Sequence, residues 1–271
     1  MTPLPLPSNA RDVGECIYCG FVGDSLEKEH AVPYGLNGPW TLLRASCRQC
    51  ATVTSRFERD TLRDLWAAIR PVLEMQTRRS RKSRPGTFPL VLESNGAQRT
   101  VHVSPNKFPL YLPSPLLPPP GVLTGIPPAP EISAELNFIH IAGPSFEEVA
   151  RHYDVDFVGA RLTFSPYEFA RTLAKIAFSA AVYALGIAPF THTPIRRVIL
   201  GADPCIGRWV GSWTGEPMTE AKGLHAMQIR ASGTEIHVFL RLFAQFNAPE
   251  YQVVLGAADP DFANSDAWPW R

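Results

Sequence analysis

The residues best suited to chemistry fall within one short N-terminal stretch. Cys16-Ile-Tyr-Cys19 opens it and Cys47-Arg-Gln-Cys50 closes it, with 27 residues between the two pairs. Each Cys-x-x-Cys turn presents two sulfurs on one tight bend, and four thiolates suit tetrahedral Zn2+ at Zn–S distances of about 2.3 Å. Gly20, directly after Cys19, supplies the permissive backbone. A redox reading of either pair needs a βαβ setting, and none is present. Structural zinc on Cys16, Cys19, Cys47 and Cys50 is therefore the expectation. Between the pairs lies EKEHAVP, residues 27–33. Glu29 there offers an oxygen ligand for a hard metal, and His30 a neutral imidazole that can take a proton from water. Mg2+ or Mn2+ at such a site would polarise a scissile phosphate and stabilise the leaving oxygen.

These residues need elements to hold them. Residues 16–50 are too few and too turn-rich to fold on apolar burial alone, so a metal must supply the missing stability. From Ala51 the apolar residues Val53, Phe57, Leu65, Ile69 and Leu73 recur at helical spacing. Arg56, Arg59, Arg63 and Arg70 fall on other faces, and Pro71 interrupts or ends the helix. The run RRSRKSRP at 78–85 follows, with five positive charges in its first seven positions. It is either a solvated linker or a phosphate-contacting arm.

CIYCG, EKEHAVPYGLNG and LRASCRQC, with SRFE beginning at Ser55, together resemble the HNH endonuclease family. The closest pattern is the branch in which Cys-x-x-Cys-Gly, Glu-His-x-x-Pro, a Gly-rich turn and a second Cys-x-x-Cys occur in that order. The resemblance covers about residues 14–60. It implies a ββα-metal fold with zinc on Cys16, Cys19, Cys47 and Cys50, His30 as general base and Glu29 as acidic metal ligand. The family usually places Asn or His directly after the last cysteine, as a ligand of the catalytic metal, and here that position is Ala51. Glu58 is the substitute hard ligand. The expected activity is metal-dependent endonucleolytic hydrolysis of DNA. Arg56, Arg59, Arg78, Arg79, Arg81, Lys82 and Arg84 would contact phosphate. Because of Ala51, the alternative is a catalytically degenerate HNH-like zinc module that binds nucleic acid or a protein partner without cleavage.

Charge distribution agrees with a polyanion partner at this end. Residues 1–90 carry 13 basic against 9 acidic residues, a net +4, and the remainder carries 13 against 16, a net −3. The longest apolar stretch, Ile176 to Phe190, is shorter than the ~20 residues of a membrane span. No N-terminal segment has the order of a secretory signal. A soluble cytoplasmic protein with no membrane partner is expected.

The fold class expected is α+β. Residues 1–85 form a zinc-bound ββα-metal (HNH-like) module, residues 86–130 a hairpin and proline-rich connector, and residues 131–271 an α+β domain with an antiparallel sheet. The hairpin signal is Ser94-Asn95-Gly96 between two strand-like runs. Ten prolines fall within residues 104–130, which reads as a spacer or a wrapping arm. Further on, a strand is expected at Leu136–Ala142, a helix at Phe146–Tyr153, and a longer helix with Ser165 as N-cap, Glu168 closing a capping box and Gly186 as the stop. The run Val198–Leu200 reads as a strand entered by Arg196-Arg197, and three more strands fall at His225–Ala231, Glu235–Phe243 and Tyr251–Leu255. His225 reads as a turn or surface residue, and Cys205 as a small partly buried one.

Overall fold

The computed structural model describes residues 10–76, 86–220 and 222–270. The expected phosphate contacts Arg78, Arg79, Arg81, Lys82 and Arg84 lie outside them. The N-terminal part is built as three short strands followed by a helix. β1 (Arg11–Asp12), β2 (Glu27–His30) and β3 (Thr41–Ser46) form a small sheet with β3 in the middle, parallel to β1 and antiparallel to β2. α1 (Arg48–Asp64) follows at once, with Cys47 as its N-cap residue. The helix thus starts before Ala51, because the second cysteine pair is its first turn. α2 (Ile69–Val72) is a separate short helix containing Pro71. A proline so near a helix start costs little, since those amides have no intrahelical acceptor.

β4 (Phe88–Ser94) and β5 (Ala97–Val103) pair as the expected hairpin. Asn95 and Gly96 carry φ of 52° and 75° at its tip, as a tight turn matching strand twist requires. The proline-rich segment is not a spacer. It contains β6 (Leu110–Leu116), a strand with Pro113 and Pro115 inside it, followed by α3 (Gly121–Thr124). β6 pairs with β7 (Glu135–Ala142) in a two-stranded sheet, the kind of edge position where missing amide hydrogens are tolerated. The carbonyls of Pro113 and Pro115 accept hydrogen bonds from Trp66 Nε1 (3.2 Å) and Tyr251 OH (2.8 Å). This arm therefore links the N-terminal helix pair to the C-terminal sheet.

α4 (Phe146–Tyr153) starts at a capping box made by Ser145 and Glu148, and β8 (Phe157–Gly159) pairs with β4. α5 (Pro166–Leu185) has the bounds expected of it, with Ser165 Oγ accepting from the Glu168 amide. The Glu168 carboxylate turns to Arg171 (3.1 Å), which in turn donates to the Ile199 carbonyl. α5 is buried on nearly every side, the pattern of a helix enclosed by other elements.

α6 (Ile195–Leu200) occupies the run read as a strand. Pro194 opens it and Gly201, at φ 79°, closes it, and burial of Ile195, Val198 and Ile199 outweighs their β preference. The last sheet runs β10–β11–β12–β9, all antiparallel: β9 (Val210–Ser212), β10 (His225–Ser232), β11 (Glu235–Leu242) and β12 (Tyr251–Ala257). α7 (Pro260–Ala263) ends the chain's regular structure. Ile236, Val238, Leu240, Val253 and Leu255 form the buried inner face, against α5. One apolar cluster runs from Cys16 and Tyr18 through α5 to this sheet.

His225 is half-buried at the start of β10 rather than a turn or surface residue. Its Nε2 lies 2.7 Å from the Leu36 carbonyl and its ring meets Phe243 edge-on. Burial pulls its pKa down to about 4, with the Leu36 carbonyl opposing. The neutral form is the folded form, so the unfolded chain binds the proton more tightly between about 4 and the ordinary ~6.5. Stability is complete above that window and falls as pH drops through it, by up to about 3 kcal/mol. His225→Asn should flatten this part of the stability–pH curve, read by urea unfolding from pH 7 to 4.

Candidate metal centre and acidic pair

The four paired cysteines converge. Their sulfurs all lie within 4.8 Å of one another, and among the described residues no other group of His, Cys, Asp and Glu side chains is so placed. Cys16 and Cys19 sit on a turn closed by hydrogen bonds from Cys16 N to Phe21 O and from Gly20 N to Cys16 O, both 2.8 Å. Gly20 has φ 76° there, a value that other residues rarely adopt. Cys47 and Cys50 come from the start of α1, and the amide of Ile17 on the Ala45 carbonyl (2.8 Å) ties the first turn to β3. The Cys19 and Cys47 sulfurs are 3.7 Å apart. Four ligands at about 2.3 Å in a tetrahedron lie ~3.8 Å from each other, so the donor set and its spacing fit a metal such as zinc. Burial and the neighbouring Cys16 push the Cys50 thiol well above its ordinary range, which disfavours a lone thiolate there. Burial also acts to raise Cys47, but hydrogen bonds from the Cys50 amide and the neighbouring thiols bring it down.

Glu29 and His30 do not share a site. They are successive residues of β2, so their side chains leave opposite faces of the strand. Glu29 pairs with Leu42 and is buried, whereas His30 pairs with Thr41 and is half-buried. His30 Nδ1 lies 3.3 Å from Thr41 Oγ1 and the ring packs beside Tyr34. Glu29 instead meets Glu58 of α1, but a lysine stands between them. Lys175 Nζ on α5 lies 2.7 Å from Glu29 Oε1 and 2.7 Å from Glu58 Oε1, and it donates to the His30 backbone carbonyl. The side chain is fully buried. Burial alone would lower the lysine pKa, but the charges of Glu29 and Glu58 outweigh it and leave the ammonium firmly protonated.

The lysine belongs to a polar stripe on α5. Thr172, Lys175 and Ser179 are spaced i, i+3, i+7 and face the N-terminal part. Thr172 Oγ1 bonds Thr61 Oγ1 (3.0 Å), and Ser179 Oγ bonds Tyr18 OH (3.3 Å). Burial, then the charge of Glu29, raises the Tyr18 phenol, which therefore stays neutral. Sequence reasoning missed this stripe. Its signal is a lysine and two hydroxyls that, with Arg171, interrupt the mostly apolar run FARTLAKIAFSAAVYAL.

Comparison with protein-family models, curated proteins and solved structures found no match.

Other residues have separate roles. Ala51 follows the cysteine cluster inside the first turn of α1, and Ser55 is exposed, bonding the Thr52 carbonyl. Asn37 serves the backbone: at φ 60° it ends a short turn, and its Oδ1 accepts from the Gln76 amide (2.6 Å). Arg56 and Arg59 are exposed on α1, as is Arg48, and Arg59 contacts Asp60 at 3.4 Å. Arg196 is not an exposed strand entrance. It sits in α6 over Phe178, where burial lowers its pKa against the pull of Glu15, Cys16 and Cys19. It places a cation beside the sulfur cluster.

Removing one member of the buried triad strands the others. Lys175→Met should cost about 3–5 kcal/mol by leaving two carboxylates without their counter-charge. Adding Glu29→Gln and Glu58→Gln to Lys175→Met should recover much of that loss, as measured by denaturant unfolding.

Proposed function

We propose that the N-terminal part of this protein is a zinc-stabilised, HNH-like module that binds the phosphate backbone of nucleic acid without hydrolysing it. The observation that carries this reading is Lys175 Nζ seated at 2.7 Å from both Glu29 and Glu58. A hydrolytic site needs a divalent ion on those carboxylates with a base beside it. Here a tethered ammonium holds them, Ala51 offers no ligand, and His30 leaves the other face of β2. The zinc, held by Cys16, Cys19, Cys47 and Cys50, would fix the two turns that carry β2, β3 and the start of α1. Arg48, Arg56 and Arg59 are on the solvent side of α1, and the basic residues 78–84 come next in sequence. Charge contacts of this kind position a protein on a phosphate backbone without reading bases.

Two experiments test the reading. Metal analysis should find one zinc per chain, and a strong chelator or Cys50→Ser should lower the unfolding midpoint together with zinc content. Plasmid and oligonucleotide DNA incubated with Mg2+ or Mn2+ should remain intact while binding in a salt-dependent manner. Removing Arg48 or Arg56 should each reduce the slope of log affinity against log salt by about 1. Metal-dependent cleavage that disappears in His30→Ala would overturn the non-hydrolytic reading in favour of an endonuclease.

A further inference from the structure

The inner face of the C-terminal sheet is apolar, but its outer face is not. On β11 the outward residues are Glu235, His237, Phe239 and Arg241. Strand register places Arg230 opposite His237, Gln228 opposite Phe239, and Gln252 on the other side of Phe239. Arg230 and Arg241 therefore bracket a central row of Gln228, Phe239 and Gln252. Trp213 meets Phe239 edge-on at 5.2 Å and walls the side toward β9. Despite lying on the outer face, Arg241 is only 6% exposed and His237 only 7%.

The polar groups on this face are incompletely matched. Arg230 Nε, Arg241 Nε, His237 Nε2 and Gln228 Oε1 are buried and have no hydrogen-bond partner among the described residues. Neither arginine has an ion pair among the described residues. The nearby carboxylates of Glu250 and Glu235 form no ion pair with either arginine. Glu250 accepts from the amides of Met218 and Thr219, both at 2.8 Å. Glu235 lies 3.5 Å from His237 Nε2, too far for a good hydrogen bond. His237 Nδ1 is 3.0 Å from Gln252 Nε2, which fixes the ring. A nearly buried guanidinium with no counter-charge is costly, and an anion is what removes the cost.

We propose that this face is a binding site for a small ligand bearing a phosphate monoester. Arg230 and Arg241 would supply charge-assisted donors from two sides, with His237 Nε2 as a third donor. The occupant is a small ligand because the guanidinium to be reached is nearly enclosed, whereas a polymer backbone needs an open groove. This site is separate from the nucleic-acid reading of the N-terminal part and does not depend on it.

The test is calorimetric titration of the full-length protein with inorganic phosphate at constant ionic strength. Saturable binding at one site is expected in the wild type. Arg241→Met should weaken it by at least about tenfold, the scale of a lost hydrogen bond to a charged group. Arg230→Met carries the same expectation if Arg241→Met fails to fold. Arg44→Met, which removes an exposed arginine paired with Asp12, should bind phosphate as the wild type does. In the absence of phosphate, Arg241→Met should be no less stable than the wild type, whereas a purely structural Arg241 would leave it less stable. No saturable binding, or binding unchanged in both Arg241→Met and Arg230→Met, would overturn the proposal. An unphosphorylated single-stranded oligonucleotide that displaces phosphate would overturn the small-ligand assignment.

Discussion

A lysine ammonium fully removed from water sets the main constraint on this structure. A buried charge of this kind is tolerated only with close counter-charges and filled hydrogen-bonding positions. Lys175 obtains them from three places: a strand carboxylate at Glu29, a helix carboxylate at Glu58 and the backbone carbonyl of His30. Meeting that demand fixes the positions of β2, α1 and α5 relative to each other. Thr172 with Thr61 and Ser179 with Tyr18 extend the same seam along α5. The same requirement explains why the acidic pair points inward and the histidine beside it does not.

The N-terminal part draws stability from two sources that act at different ends. The cysteine cluster brings the two turns together locally, with a donor set that could hold a metal. The polar seam and the apolar cluster around Phe57, Leu65 and Trp66 then attach this part to α5 and to the proline arm. Trp66 lies edge-on to both Phe169 and Phe243, so one indole touches the central helix and the residue that follows β11. His225 adds a further tie through the Leu36 carbonyl. Arg11 adds another by donating to the carbonyls of Tyr183 and Ala184 at the end of α5.

The two faces of the C-terminal sheet illustrate how strand alternation divides work. Even-numbered residues of β11 (Ile236, Val238, Leu240, Leu242) satisfy the core. Odd-numbered ones collect polar and charged groups around Phe239. The first set explains the fold. The second set carries buried donors that the fold itself does not use, which is where recognition chemistry is expected to reside.

What was legible in the sequence was legible because its signal is local. Two Cys-x-x-Cys pairs bring their own sulfurs together in each turn, so only one long-range approach remained to be made. The hairpin at Asn95-Gly96, the Ser165 cap and Gly186 stop of α5, and the last three strands are likewise set by neighbouring residues. The strand reading of Val198–Leu200 failed because burial against neighbouring helices outweighed β-branched preference. The spacer reading of the prolines failed because their carbonyls, unlike their missing amides, still find donors across the fold. By itself the sequence determined which four cysteines cluster and most of the secondary structure. Only the tertiary structure decided what Glu29 faces. Lys175 lies 145 residues from His30, whose carbonyl it caps, and no local pattern encodes a partner at that distance. The cost of burying charge does encode it, because that ammonium can leave water only where Glu29 and Glu58 already meet.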